Sequence, residues 1–252
     1  MIVAACGIIS NEKLTDGYEI YSMAIDAPEI AEAAKPGQFV HVKCEGFTLR
    51  RPISIAGAGR GRVRLCYEVR GGGTAWLSGL GSGGKIDVMG PLGNGFDISD
   101  TSKKVLLVGG GIGVYPLYPV AEAYGGNAFT ALGFRTKGLV TFETEFQSCG
   151  GGLYIATDDG SYGQKGHAAG LAEEILDNNK IDIIMACGPK IMLKAVAEQA
   201  KKRGVRCQVS MEERMACGVG ACLACVCKVN GLNKRVCADG PVFEGDGVDF
   251  EW

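Results

Sequence analysis

Four cysteines near the end of the chain have a spacing that carries chemistry. Cys217, Cys222 and Cys225 form C-x4-C-x2-C, and Cys237 follows as a fourth. Thiolates in this pattern hold two bridged irons, a [2Fe-2S] cluster. The residues between them include Gly218, Gly220, Ala221 and Ala224, small enough for the backbone to wrap closely and turn its N–H groups toward the sulfurs. A structural zinc site also takes four cysteines but usually pairs them as two close doublets, which a triplet with a distant fourth fits poorly. Cys227 is surplus to the set, and its place two residues after Cys225 predicts a buried thiol on the strand that follows.

A [2Fe-2S] cluster moves one electron at a time, so a protein that exchanges electron pairs needs a flavin beside it. Upstream, Arg51-Pro52-Ile53-Ser54 lies in a strand-like segment. Arg51 there offers a planar fork for phosphate, and Ser54 a small hydrogen-bonding group for a ring nitrogen. Gly71-Gly72-Gly73-Thr74 precedes the helix-like Ala75-Trp76-Leu77, so free N–H groups at a helix start are available to a pyrophosphate. Taken singly, each signal is weak, because an Arg-Pro pair is often just a strand end and a triple glycine often a hairpin.

A third signal is Val105 to Val108 followed by Gly109-Gly110-Gly111-Ile112-Gly113 and then Pro116, a strand, a tight turn and a helix start. That geometry offers backbone donors to a diphosphate. It departs from G-x-G-x-x-G, because Val114 stands where the last small residue belongs, and Tyr115 is bulkier than expected beside such a turn. Asp158-Asp159-Gly160-Ser161 follows another strand and suits a nucleotide contact or a plain turn. His41 and His167, the two histidines, are too few and too separated for a catalytic or metal constellation and are read as structural.

These residues need elements to hold them. The first hundred positions alternate short strand-like runs, Tyr18 to Ile25, Phe39 to Cys44, Ile53 to Ala56, Val63 to Val69 and Lys85 to Met89, with glycine-rich breaks. That spacing predicts a small antiparallel barrel or sandwich closed by Gly90 to Gly95, with Asp97 to Lys104 as a linker. Strands at Val105 to Val108, Phe129 to Phe134, Leu153 to Thr157 and Ile181 to Ala186 then alternate with helical stretches. These are Pro116 to Tyr124, Ala168 to Asn178 and Lys190 to Lys202. Such alternation predicts a parallel sheet with helices on both faces. The expectation is a multidomain α+β chain: an antiparallel β-barrel over 1-99, an α/β parallel-sheet domain over 100-209, and a small cysteine module over 210-252.

Composition limits the partners. A net charge of -2, from 26 basic and 28 acidic side chains, gives no electrostatic reason to expect nucleic acid. No run approaches the roughly 20 apolar residues of a membrane span, and Met1 to Ser10 lacks the basic flank of a secretory signal. With 11 cysteines and no export signal, a reduced, cytoplasmic protein is expected.

The order Arg-Pro-Ile-Ser, Gly-Thr, Gly-Gly-Gly-Ile-Gly, Cys187-Gly188-Pro189 and C-x4-C-x2-C resembles the electron-transfer subunits of type B dihydroorotate dehydrogenases, a branch of the ferredoxin-reductase superfamily. The likeness runs over nearly the whole chain. Ile53, where much of the superfamily has an aromatic residue, resembles the dihydroorotate branch. The resemblance implies a first domain for FAD, a second for a nicotinamide nucleotide, and a tail for the [2Fe-2S] cluster on Cys217, Cys222, Cys225 and Cys237. It implies that Arg51, Pro52, Ile53 and Ser54 line FAD, with Cys66, Tyr67 and Glu68 along the next strand and Gly73 and Thr74 at its phosphates. Gly110, Gly111 and Gly113 would receive NAD, and Cys187 would lie near the stacked rings as the catalytic-site thiol. It further implies a separate flavin-carrying catalytic subunit, two copies of each chain, and electron flow from dihydroorotate to NAD. A (β/α)8 barrel of about 250 residues does not fit beside three modules in this length. Two alternatives stay open: a related FAD/[2Fe-2S] subunit serving ferredoxin or sulfide, and a non-catalytic nucleotide sensor with a structural metal.

Overall fold

The computed structural model describes residues 1–251. Its first part is a closed barrel of β1 (Ile2–Lys13), β2 (Ile20–Asp26), β3 (Phe39–Val42), β4 (Arg51–Gly59), β5 (Arg62–Glu68) and β6 (Lys85–Leu92). The strand order is β1-β2-β5-β4-β3-β6, every pair antiparallel. Two short helices interrupt it, α1 (Pro28–Ala33) and α2 (Gly72–Ser78). Alternation along β3 and β4 decides what each face carries. Val40, Val42, Ile53 and Ile55 point into the barrel core with Met23, Ile25, Val63, Leu65 and Val88, while Phe39 packs on the opposite side. Fully burying each such side chain stabilises the fold by roughly 1.5–3 kcal/mol.

The second part is a seven-stranded sheet in the order β10-β9-β8-β7-β11-β12-β15. It comprises β7 (Val105–Gly110), β8 (Ala128–Phe134), β9 (Gly152–Thr157), β10 (Gln164–Lys165), β11 (Ile183–Cys187) and β12 (Arg206–Ser210), all parallel, and later β15 (Val242–Glu244). Helices α3 (Tyr118–Tyr124), α4 (Glu143–Ser148), α5 (Ala168–Asn178) and α6 (Lys190–Arg203) cover it. The central strands read as unbroken apolar runs because both faces are covered. Val105, Leu107, Ile183 and Met185 meet α3 and α4, whereas Leu106, Val108, Ile184 and Ala186 meet α5 and α6.

The third part is a hairpin, β13 (Val226–Val229) and β14 (Leu232–Arg235), preceded by the cysteine loop. It shares one core with its neighbours. Cys225, Cys227, Val229, Val236 and Cys237 pack with Phe39, Met89 and Leu92 of the barrel and with Val209 and Phe243 of the sheet. Cys227 is buried on β13 as expected.

Three features depart from the sequence-based expectations. Strand β1 was not anticipated, because its apolar residues fall on both faces: Val3 is 58% exposed and Cys6 and Ile8 are buried. The sheet is not wholly parallel, since β15 returns from the C-terminal part to pair antiparallel with β12, through Ser210 opposite Val242. The helix expected from Pro116 begins with a 3-10 turn over Gly111–Leu117, and α3 itself starts at Tyr118. No helix of the described residues is long and apolar enough to cross a membrane.

Candidate functional site

The cysteine loop is wound by three left-handed residues, Gly218 (φ +72°), Gly220 (φ +82°) and Leu223 (φ +59°). Glycine adopts this conformation at little cost; leucine does not. The winding turns N–H groups onto sulfur. Val219 and Ala221 donate to Cys217 Sγ (3.4 and 3.3 Å), Gly220 to Cys237 Sγ (3.2 Å), and Cys237 to Cys225 Sγ (3.4 Å).

The thiols interact as two pairs, Cys217 with Cys222 and Cys225 with Cys237. Among the described residues no group of three or more His, Cys, Asp or Glu is placed to hold a metal ion. Two pairs are what a two-iron centre with four thiolates requires, and the donor set fits that group. The pairs differ in setting. Cys225 and Cys237 are buried, while Cys222 is exposed. Burial acts to raise the Cys217 thiol, but hydrogen bonds from the Val219 backbone and from Cys222 outweigh it and bring it down to about 6. Burial, then Cys225, pushes Cys237 up to about 12.

Sequence reasoning missed the residues that steady this loop. Arg235 donates through Nη1 to the Gly220 carbonyl (3.0 Å), and Asp239 holds its guanidinium (Nε to Oδ2 2.9 Å) and its backbone N–H (2.8 Å). The available signal was the Arg-x3-Asp spacing around Cys237. Asn94, at the exit of the barrel, donates its side-chain amide to the Ala238 and Asp239 carbonyls (3.2 and 3.1 Å).

On the barrel, two segments expected at phosphates come together. The Arg51 guanidinium lies against Gly73, where an added Cβ would stand 2.4 Å from Nε. It also stacks 5.0 Å from the Phe47 ring centroid. Thr74 is occupied locally: its hydroxyl accepts from Arg70 N (2.9 Å) and donates to Gly71 O (3.1 Å). Pro52 and Ser54 face outward from β4, and Ile53 is buried in the barrel.

The trio on β5 does not share a face. Cys66 turns into the seam with the sheet domain beside Val105 and Tyr115, and burial pushes its thiol up to about 12. Tyr67 points into the barrel, where its hydroxyl donates to Asn11 Oδ1 (2.9 Å). Glu68 is partly exposed and pairs with Arg70 (2.7 Å). A strand alternates sides, so only backbone groups of this trio can line one ligand together.

In the sheet, the glycine turn and Cys187-Gly188-Pro189 follow adjacent central strands, the place where open α/β sheets take ligands. They are in close contact. A Cβ on Gly113 would lie 2.3 Å from Cys187 O, and one on Gly110 would lie 2.8 Å from Pro189 Cδ. Gly111 is left-handed at φ +55°. Tyr115 does not crowd this turn: it is buried on the far side, hydrogen-bonded to Thr141 (3.0 Å) and edge-on to Phe142. Burial pushes the Cys187 thiol up to about 12. Asp159 Oδ1 accepts from Ser161 N (2.9 Å), so this segment closes a turn.

A cleft of about 700 Å³ lies where the three parts meet, bordered by Arg51, Pro52 and Arg70 of the barrel, Gly188 and Pro189 of the sheet, and Met211 to Met215 leading to the cysteine loop. Its size is that of a cofactor site.

Residues 212–249 match the iron-sulfur cluster binding domain of dihydroorotate dehydrogenase B. The chain is 44% identical to the electron transfer subunit of dihydroorotate dehydrogenase B (NAD(+)) from Geobacillus thermodenitrificans, over 90% of this chain and 92% of that one. The same subunit from Caldanaerobacter subterraneus is 41% identical over 96% and 97%. The chain belongs to this family. A solved chain of an NADH-dependent reduced ferredoxin-NADP oxidoreductase, described for flavin-based electron bifurcation, superimposes with a TM-score of 0.89. It is 35% identical over 98% of this chain and 91% of that one. Membership supplies the cofactor set of FAD, [2Fe-2S] and NAD, and makes the chain one subunit of an oxidoreductase with a catalytic partner.

Proposed function

We infer that the chain carries electrons between NAD and a flavin-bearing catalytic subunit that interconverts dihydroorotate and orotate, as part of pyrimidine biosynthesis. The observation that carries this reading is the shared cleft, which brings the flavin-strand residues, the Cys-Gly-Pro turn and the approach to the cysteine loop to one place. When bound, FAD exchanges a hydride with the nicotinamide and single electrons with the cluster. The chain's own residues bind, orient and tune.

In this assignment Arg51 and the backbone at Gly73 and Thr74 hold the FAD phosphates, and Arg51 brings the bidentate fork that phosphate favours. Pro52, Ile53 and Ser54, with Cys66, Tyr67 and Glu68, line the flavin, the buried members through main-chain groups. Gly110, Gly111 and Gly113 keep the turn bare so that a dinucleotide can approach the backbone. Cys187, kept as a neutral thiol by burial, packs beside the reacting rings rather than acting as a nucleophile. Cys217, Cys222, Cys225 and Cys237 ligate the cluster.

The units 1-99, 100-209 and 210-252 carry FAD, NAD and the cluster in turn. The complex has two copies of each chain and, given eleven free thiols, works in the reducing cytoplasm, without nucleic acid or membrane. The test is to co-purify the chain with a candidate catalytic subunit and measure orotate-dependent NADH oxidation. The likeness to the ferredoxin-NADP oxidoreductase chain favours one second reading, a related subunit serving ferredoxin. Activity with ferredoxin and none with orotate would select it.

A further inference from the structure

His41 has no exposed surface, and neither Nδ1 nor Nε2 has a hydrogen-bond partner. A buried polar group left unpaired is costly, so an orphaned imidazole calls for an explanation. Its surroundings provide one. His41 lies on β3 opposite Pro52 of the flavin strand and opposite Met89 of β6. Val40 and Val42 point inward, so the imidazole leaves the barrel on the other side, edge-on to Phe39, whose own packing is with the cysteine module. There it meets Gly218, next to Cys217. A Cβ on Gly218 would lie 2.7 Å from both Cε1 and Nδ1, so the nitrogen-bearing edge faces the loop. The charged groups around it are few: Arg50 donates to the His41 carbonyl (3.3 Å) and is held by Asp87. Whether neutral or protonated, the imidazole has at least one N–H to give.

We propose that His41 donates this N–H to a sulfur of the [2Fe-2S] centre, so that a flavin-barrel residue tunes the cluster's reduction potential. The inference rests on the cysteine ligand assignment above. Hydrogen bonds to cluster sulfurs favour the reduced, more negative state and raise the potential. The same ring, opposite Pro52, ties the cluster's setting to the strand assigned to the flavin.

With two histidines in the chain, labelling is selective. Reduced holoprotein grown with 15N-histidine and with natural histidine is compared by pulsed electron paramagnetic resonance. The expected result is a nitrogen coupling to the cluster that changes with the label, disappears in His41→Phe and persists in His167→Ala. Redox titration of His41→Phe should show an about tenfold loss of reduced cluster at fixed potential, a fall of about 59 mV for a one-electron couple. His41→Gln, which retains a donor, should recover part of it. Should His41→Phe lose its cluster, the labelled His167→Ala spectrum decides, since His41 is then the one histidine left. Full iron content without histidine coupling, or an unmoved potential in His41→Phe, overturns the proposal. A wild-type preparation without iron overturns the ligand assignment and this inference with it.

Discussion

The cysteine loop and the flavin-side cleft are neighbours built on opposite plans. The loop draws its four thiols from one short stretch, and its geometry is set locally by left-handed residues and N–H groups turned onto sulfur. The cleft is assembled from three distant segments, at Arg51, Gly188 and Met211, and exists only because the barrel, sheet and hairpin share cores. A locally specified site should fail through its ligands, whereas an assembled one should weaken by degrees.

The largest expected effect breaks one region and spares the other. Cys222→Ser should abolish the cluster and electron delivery to the partner, while NADH-driven dye reduction through FAD stays largely intact. Loss of both activities would mean the two regions are not separable. Arg51→Ala should weaken FAD binding by tenfold or more, since charge-assisted hydrogen bonds contribute about 1.5–3 kcal/mol. Flavin content after dialysis measures it, and unchanged occupancy removes Arg51 from the phosphate site.

Gly113→Ala forces a Cβ to within 2.3 Å of the Cys187 carbonyl, so the two turns must separate. Overpacking of this kind costs about 1–3 kcal/mol, and it should raise the KM for NADH with little change in cluster content. The smallest effect concerns acid. Hydrogen bonding to the Arg235 side chain, then to its backbone, holds the Asp239 carboxyl down at about 2, against an ordinary value of 3.8. A depressed carboxylate contributes stability that is present above pH 3.8 and is lost as pH falls through about 2. Asp239→Asn should therefore release its cluster faster at neutral pH, followed by visible absorbance.

What was legible in the sequence follows the same division. The thiol spacing, the glycine turn and the apolar runs of β7 and β11 are local patterns, and the barrel-plus-sheet architecture follows from strand-like runs that alternate first with glycine breaks and then with helices. The buried place of Cys227 follows too, from strand alternation. Contacts between distant segments left no such mark. His41 beside Gly218, Asn94 on the Ala238 carbonyl and the antiparallel return of β15 each depend on packing between parts. Tyr115 was misjudged for the same reason, since its room lies in a core formed with Thr141 and Phe142. Strand β1 escaped notice because barrel closure, not alternation, determines which of its residues are covered.

The central claim is that the tail thiols and the barrel cleft hold two redox centres in one chain. Iron, acid-labile sulfide, zinc and flavin are measured in anaerobically purified protein. The account predicts about two irons and two sulfides for each FAD. Stoichiometric zinc with no iron, or protein that remains colourless after reconstitution with iron, sulfide and FAD, would contradict it.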